Sequence, residues 1–93
     1  MAKNRFHSHR RVVGLRLQNA RDALGLTQDD VAEKLGYSQD KISSMERKGR
    51  RLDIFEAAEF ARLYGISLHD LAADPTPEEV AAERARTNRK DKG

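Results

Sequence analysis

Four polar side chains stand at helical spacing within residues 38–47 of this chain. Gln39 and Asp40 are followed one helical turn later by Ser43 and Ser44. The amide of glutamine can form two hydrogen bonds with an adenine edge, a carboxylate can accept from cytosine N4, and a serine hydroxyl is permissive. On the exposed face of a helix, such side chains have the chemistry to read base edges. The first hypothesis is therefore that these four residues contact DNA bases.

Two short helices joined by a tight turn are predicted to position these side chains. Thr27 and Ser38 are typical N-cap residues, and Gly36 between them can adopt the positive φ that the turn needs. Ile42 and Met45 would face inward on the second helix. Such a pair forms a helix-turn-helix, whose second helix can enter a DNA major groove. An ordinary helical hairpin, which would also contain a glycine and inward apolar residues, is the alternative interpretation.

Helical periodicity elsewhere predicts an all-α domain of five helices. The first is predicted over residues 11–24, with Gly25 after its end. A fourth helix is expected to begin at a capping box formed by Asp53 and Glu56, and a short fifth helix to begin at Ser67. The predicted inner stripe of the fourth helix consists of Ile54, Ala57, Ala58 and Ala61.

The chain is predicted to have three parts: a basic arm at 1–11, a helix-turn-helix domain at 12–74 and a polar tail at 75–93. Within the tail, Thr76, Pro77 and Glu79 are typical of a helix start. They predict a sixth helix over residues 77–87, and the polar end of the chain from residue 86 is expected to be disordered.

The net charge of +3 is less informative than its distribution. The arm has no acid, and its bases are Lys3, Arg5, Arg10 and Arg11. A second basic cluster comprises Arg47, Lys48, Arg50 and Arg51. Both clusters suit contacts with phosphates. The arm would follow the phosphate backbone or enter the minor groove, with a disordered, solvated tail as the alternative.

Several function classes are disfavoured by what the sequence contains. With no Cys, disulfides and thiolate metal sites are excluded, and His7 and His9 are too few ligands for a metal. No apolar run approaches the length of a membrane span, and no nucleophile, base and orienting residue form a recognisable set. We expect no enzyme activity, no metal, no cofactor and no membrane association, in a protein of the cytoplasm.

Two segments carry a resemblance to a known family: LTQDDVAEKLGYSQDKISSMERKGR at 26–50 and FARLYGISLHDL at 60–71. They resemble the phage repressor and Cro-like helix-turn-helix proteins, the XRE family, over about residues 13–72. The resemblance implies a compact five-helix bundle of the phage-repressor type, with its third helix in the major groove. It further implies a bacterial or phage transcriptional regulator, expected to be a repressor, that binds a near-palindromic operator as a homodimer and lies on the nucleoid when bound.

The resemblance also implies roles for single residues. Gln28 is similar to a family glutamine that touches a phosphate and braces the start of the recognition helix, although it could simply be solvated. Arg21 and Glu46 resemble a pair that joins the first helix to the third and presents the arginine to a phosphate; the alternative is two unpaired surface charges. Lys41 is expected at a phosphate, and Asp40 either selects cytosine or is an acid turned away from the bases.

The helix-rich C-terminal half contains more apolar residues than a small core obviously needs. The resemblance to the family favours a dimer interface at Tyr64, Ile66, Leu68 and Leu71, with burial inside the monomer as the alternative. A second hypothesis for function is a co-regulator or a DNA-binding antitoxin with the same fold. In that case the tail at 76–93 would bind a protein partner, either RNA polymerase or a toxin.

Overall fold

The computed structural model describes the backbone of residues 2–92 and the side chains of residues 9–86. Within these residues there are six helices and no strand, which confirms the predicted all-α class. The helices are α1 (Ala2–Ala23), α2 (Gln28–Leu35), α3 (Gln39–Lys48), α4 (Ile54–Tyr64), α5 (Leu68–Ala72) and α6 (Pro77–Lys92). Among them, none combines the length and the apolar character needed to cross a bilayer.

Four of these helices begin at the N-cap residues predicted from the sequence. Thr27, Ser38, Asp53 and Ser67 each accept a hydrogen bond from the backbone N–H three residues later. The capping box at the start of α4 is formed as predicted, and Thr27 forms a second one that was not predicted. Gly36 ends α2 with φ of 75°. The α2–turn–α3 unit therefore has the local structure that its sequence predicts.

The core lies where α1 to α5 meet. Its buried members are Leu17, Val31, Ala32, Ile42, Met45, Phe60, Tyr64 and Leu71. Tyr64 and Leu71, only 6% and 2% exposed, were predicted at a dimer interface, and that prediction was wrong because both side chains fill the monomer's interior. Ile66 packs partly buried against the same core, whereas Leu68 remains 38% exposed.

Ile54, predicted on the inner stripe of the fourth helix, is exposed instead. At 68% exposure, it lies in the first turn of α4 and does not join the core. Leu24, the last residue of the predicted first helix, follows the end of α1 and is 52% exposed. Phe55, beside Ile54, is exposed at 79%.

Both ends of the chain are more helical than expected. α1 begins at Ala2 rather than near residue 11, because the arm contains no proline or glycine and its basic residues favour helix. Similarly, α6 continues to Lys92, beyond the predicted 77–87. The side chains of Lys3 and Arg5 lie outside the described residues, so their predicted DNA contacts remain predictions.

α1 and α3 approach so closely that two positions require glycine. A Cβ at Gly14 would lie 2.5 Å from the carbonyl oxygen of Met45 and 2.6 Å from that of Glu46. At the end of α3, Gly49 has φ of 66°, and a Cβ there would lie 2.9 Å from the backbone nitrogen of Arg11. The α3 helix is therefore placed against the backbone of α1 itself.

Polar contacts hold α6 against α1. Arg16 forms a two-pronged ion pair with Glu79, with Nε–Oε2 and Nη2–Oε1 distances of 2.8 and 2.7 Å. Arg11 Nη1 lies 3.3 Å from Oε2 of Glu83, which is 5% exposed, and Arg86 donates to Gln18 at 2.6 Å. The tail helix is thus docked on the domain through Glu79, Glu83 and Arg86.

Arg16 has a second role at the end of α5. Its Nη1 donates to the carbonyl oxygens of Leu71 and Ala73 at 2.9 and 2.7 Å. These carbonyls lie at the end of α5, where helix carbonyls have no partner within the helix. One guanidinium therefore joins α1, the end of α5 and the start of α6, where Glu79 also completes a capping box with Thr76.

We predict that Gly14→Ala lowers the free energy of unfolding by about 1–3 kcal/mol, because the new methyl group meets two backbone carbonyls that cannot move independently. The helix preference of alanine would offset only about 1 kcal/mol of the clash. Urea denaturation measures the difference. Asn19→Ala, at an exposed position of the same helix, is the matched control and should not be destabilised.

We predict that the Arg16–Glu79 ion pair makes the free energy of unfolding depend on pH in the acid range between 4.5 and about 2. The hydrogen bond from Arg16 lowers the pKa of Glu79 from 4.5 to about 2. The carboxylate is thus stabilised in the folded state, so its contribution is complete above pH 4.5 and is lost as pH falls towards 2. The stability difference between the wild type and Glu79→Gln should shrink over that interval. A difference that stays constant would contradict this contribution.

Candidate nucleic-acid interface

The polar face of α3 is exposed or partly exposed, and Gln39 on this face contacts Gln28 of α2. Gln39 and Asp40 are exposed in its first turn, and Ser43 and Ser44 are partly exposed one turn later. The opposite face is buried, with Ile42 and Met45 at 1% exposure. α3 therefore presents the four predicted base-contacting residues outward on a helix that the core holds from behind.

A network of hydrogen bonds joins Gln39 at the start of α3 and Glu46 in its last turn to α1 and α2. Glu46 accepts from Nε and Nη2 of Arg21 at 2.7 and 3.0 Å, and from Nε2 of Gln28 at 3.0 Å. Gln28 in turn accepts from Nε2 of Gln39. The structure therefore brings together Arg21, Glu46, Gln28 and Gln39 in one chain of contacts, and we call these four residues the bracket.

The centre of the bracket is buried. Glu46 is 1% exposed, and the side chain of Arg21 is 11% exposed. The hydrogen bond to Glu46 raises the pKa of Arg21, whose Nη1 also donates to the carbonyl oxygen of Leu26 at 2.8 Å. The alternative of two unpaired surface charges is thus wrong, and the pair is a buried element of the fold.

Lys41 has a partner that was not predicted. Its Nζ lies 2.6 Å from Oε2 of Glu56 in the first turn of α4 and 4.2 Å from the ring centroid of Tyr37. The hydrogen bond from Lys41 lowers the pKa of Glu56, and the Tyr37 hydroxyl donates to Glu59. Lys41 therefore joins α3 to α4 in the free protein instead of standing open to a phosphate.

The basic residues predicted at phosphates divide into two groups. Arg47 and Lys48 in the last turn of α3, and Arg50 and Arg51 in the following loop, are exposed, as is Arg10. Arg11 differs because its guanidinium is paired with Glu83 of α6. Arg11 was expected to contact DNA as part of the arm, but in the structure its guanidinium binds α6 instead.

Two structurally important residues, Gly14 and Arg16, escaped the sequence interpretation, as did the contact between Lys41 and Glu56. A glycine inside a helical pattern costs about 1 kcal/mol relative to alanine, so Gly14 carried a readable signal. Arg16 and Glu79 are 63 positions apart, and Lys41 and Glu56 are 15 apart. No local pattern indicates such pairs.

Residues 12–73, well over half of the chain, match the family model described as a helix-turn-helix domain. The chain therefore belongs to the helix-turn-helix domain family, whose members are typically DNA-binding. No curated protein and no solved structure gives a significant match to it. The family match supports DNA binding by the domain that contains α2 and α3.

We predict that Arg21→Met lowers the free energy of unfolding by about 3 kcal/mol, because it leaves the buried Glu46 carboxylate without its ion-pair partner. Adding Glu46→Gln should recover part of the loss, since the uncompensated charge is then removed. Chemical denaturation gives both values. Arg62→Met, at an exposed position on α4, is the control. An equal loss for the single and double variants would contradict the explanation by buried charge.

Proposed function

We propose that this protein is a sequence-specific DNA-binding transcriptional regulator that acts as a repressor. In this proposal α3 enters the major groove and a homodimer occupies a near-palindromic operator, where it occludes RNA polymerase. The observation that carries the proposal is the exposed polar face of α3, held at its start by the bracket. Rigid support of this kind suits side chains that must meet base edges in a defined register.

Gln39 is the residue best prepared for a base contact. One N–H of its amide is engaged by Gln28, which leaves the second N–H and the amide oxygen. These are the donor and acceptor that match N7 and N6 of adenine. We assign Ser43 and Ser44 to permissive contacts one turn further along the groove.

The carboxylate of Asp40 is exposed and forms no hydrogen bond or ion pair with another described residue. We assign it to the N4 amino group of a cytosine, the base group that a carboxylate accepts from. Its position in the first turn of α3 also lets its negative charge interact favourably with the helix dipole. The competing role for Asp40 is therefore to stabilise the start of the helix while pointing away from the bases.

Phosphate contacts are assigned to the exposed cations that follow the polar face: Arg47, Lys48, Arg50 and Arg51. Gln28 and Arg21, beside the start of α2, complete the assignment by analogy with the resembling family. We assign Lys41 to positioning α3 instead, because a phosphate would have to displace its contact with Glu56.

The homodimer is inferred from the family resemblance. Of the four residues predicted at its interface, Leu68 is the one that the monomer leaves exposed. A single leucine is far too small for a stable interface. Ile54 and Phe55 are further exposed apolar side chains from which an interface could be built.

The alternative function requires the tail to be available to a protein partner. Glu79 and Glu83 already bind Arg16 and Arg11 of α1, so the face of α6 that carries them is occupied within the chain. No observation favours a toxin or polymerase partner over DNA. Removing the tail would also unpair two arginines, so a truncation at residue 74 would test stability as much as partner binding.

We predict that selection from a random DNA pool yields two half-sites about 10–10.5 bp apart, centre to centre. Gln39→Ala should relax the preference at one position in each half-site, at a cost of about 1–3 kcal/mol in discrimination. Affinity should also fall steeply with salt because phosphate contacts release counterions. Arg62→Gln is the control and should keep the wild-type site. Enrichment of no common sequence, or binding insensitive to salt, would refute the proposal.

A further inference from the structure

A cleft opens between α1, the α3–α4 loop, α4 and α5. Its volume is about 200 Å³. The floor is apolar and comprises Val13, Leu52, Ala57, Leu68, Leu71 and Ala72. The remaining lining residues are three arginines, Arg10, Arg50 and Arg51. The cleft thus combines an apolar floor with a cationic rim.

The positive charge of this rim is not balanced within the described part of the chain. Arg10, Arg50 and Arg51 are exposed and form no ion pair or hydrogen bond with another described residue. Arg50 is close enough to Glu56 to lower its pKa slightly, but that carboxylate is bound by Lys41. No acidic residue lines the cleft. The charge therefore favours an anionic occupant.

The dimensions of the cleft limit the size of that occupant. An apolar cavity of about 150 Å³ holds a benzene molecule, whereas sites for drug-sized ligands measure about 300–1,000 Å³. A single ring or a short alkyl chain therefore fills the floor. The guanidinium group binds carboxylates through paired N–H donors, so a carboxylate attached to such an apolar body would reach the rim.

We propose that this cleft binds a small amphipathic carboxylate, with its apolar body on the floor and its carboxylate among Arg10, Arg50 and Arg51. Because Arg50 and Arg51 are also assigned to DNA phosphates, the bound carboxylate weakens DNA binding. This second statement rests on the proposed function. Linkage requires the reverse effect as well, so DNA weakens carboxylate binding by the same factor.

The first experiment titrates the full chain with phenylacetate and follows its amide and methyl resonances by NMR. Saturable shifts are expected at Val13, Leu52, Leu68 and Ala72. Phenylacetamide, which has the same ring without the charge, and acetate, which has the charge without the ring, should bind much more weakly. Equal binding of phenylacetate and phenylacetamide would overturn the role of the arginines, and absence of saturable binding would overturn the site.

Variants locate the site within the chain. Arg50→Gln and Arg51→Gln should each weaken phenylacetate binding about tenfold, the loss expected for a charge-assisted hydrogen bond, while Arg62→Gln should change nothing. Ala72→Leu fills the cleft from an exposed position and should abolish binding without altering thermal unfolding. Unchanged binding by Ala72→Leu would overturn the location. Shifts of the same resonances with protein concentration alone would assign the cleft to a second copy of the chain and also overturn the proposal.

A final experiment measures the affinity for the selected operator with and without phenylacetate. The affinity of the wild type should fall as the carboxylate saturates, and that of Ala72→Leu should not respond. If phenylacetate binds but leaves operator affinity unchanged, the competition is refuted. If no operator is found, the proposed function fails, and the NMR titration still decides whether the cleft binds a carboxylate.

Discussion

The buried carboxylate of Glu46 is the group on which the arrangement of the first three helices depends. It is satisfied by donors from α1 and α2 while it belongs to α3. A carboxylate without such partners would be costly to bury, so the pair penalises any packing that separates these helices. Buried ion pairs contribute little net stability, but they can select one packing arrangement over others. We infer that Arg21 and Glu46 select the arrangement of α1 and α3 in this way.

Polar interactions also explain why the C-terminal helix is ordered on the domain. α6 offers few apolar residues, and its described contacts are made mainly by Glu79, Glu83 and Arg86. The Arg16 guanidinium satisfies carbonyls at the end of α5 in addition to Glu79. The last two helices are thus coupled through a single side chain of α1.

The local features of this fold could be predicted from the sequence, and the distant ones could not. Caps such as Thr27 and Asp53 are decided by residues within one turn, so the starts of α2 and α4 were predictable. Tyr64 and Leu71 were misplaced because an apolar residue has the same pattern in a core and at an interface. The docking of α6 depends on pairs more than 60 positions apart, which are compatible with many folds. The exposed face of α3 was predicted, but the binding partner of Lys41 was not.

The glycine contact between α1 and α3 has a consequence for how binding preferences change. Gly14 and Gly49 bring the two backbones together without intervening side chains, so this contact does not involve the side chains of Asp40, Ser43 and Ser44 on the outer surface of α3. In the proposed complex with DNA, exchanges at positions 40, 43 and 44 would therefore alter which bases are contacted while the axis of α3 is retained. Related domains with this contact could diversify their target sites by surface substitution alone, with the scaffold unchanged.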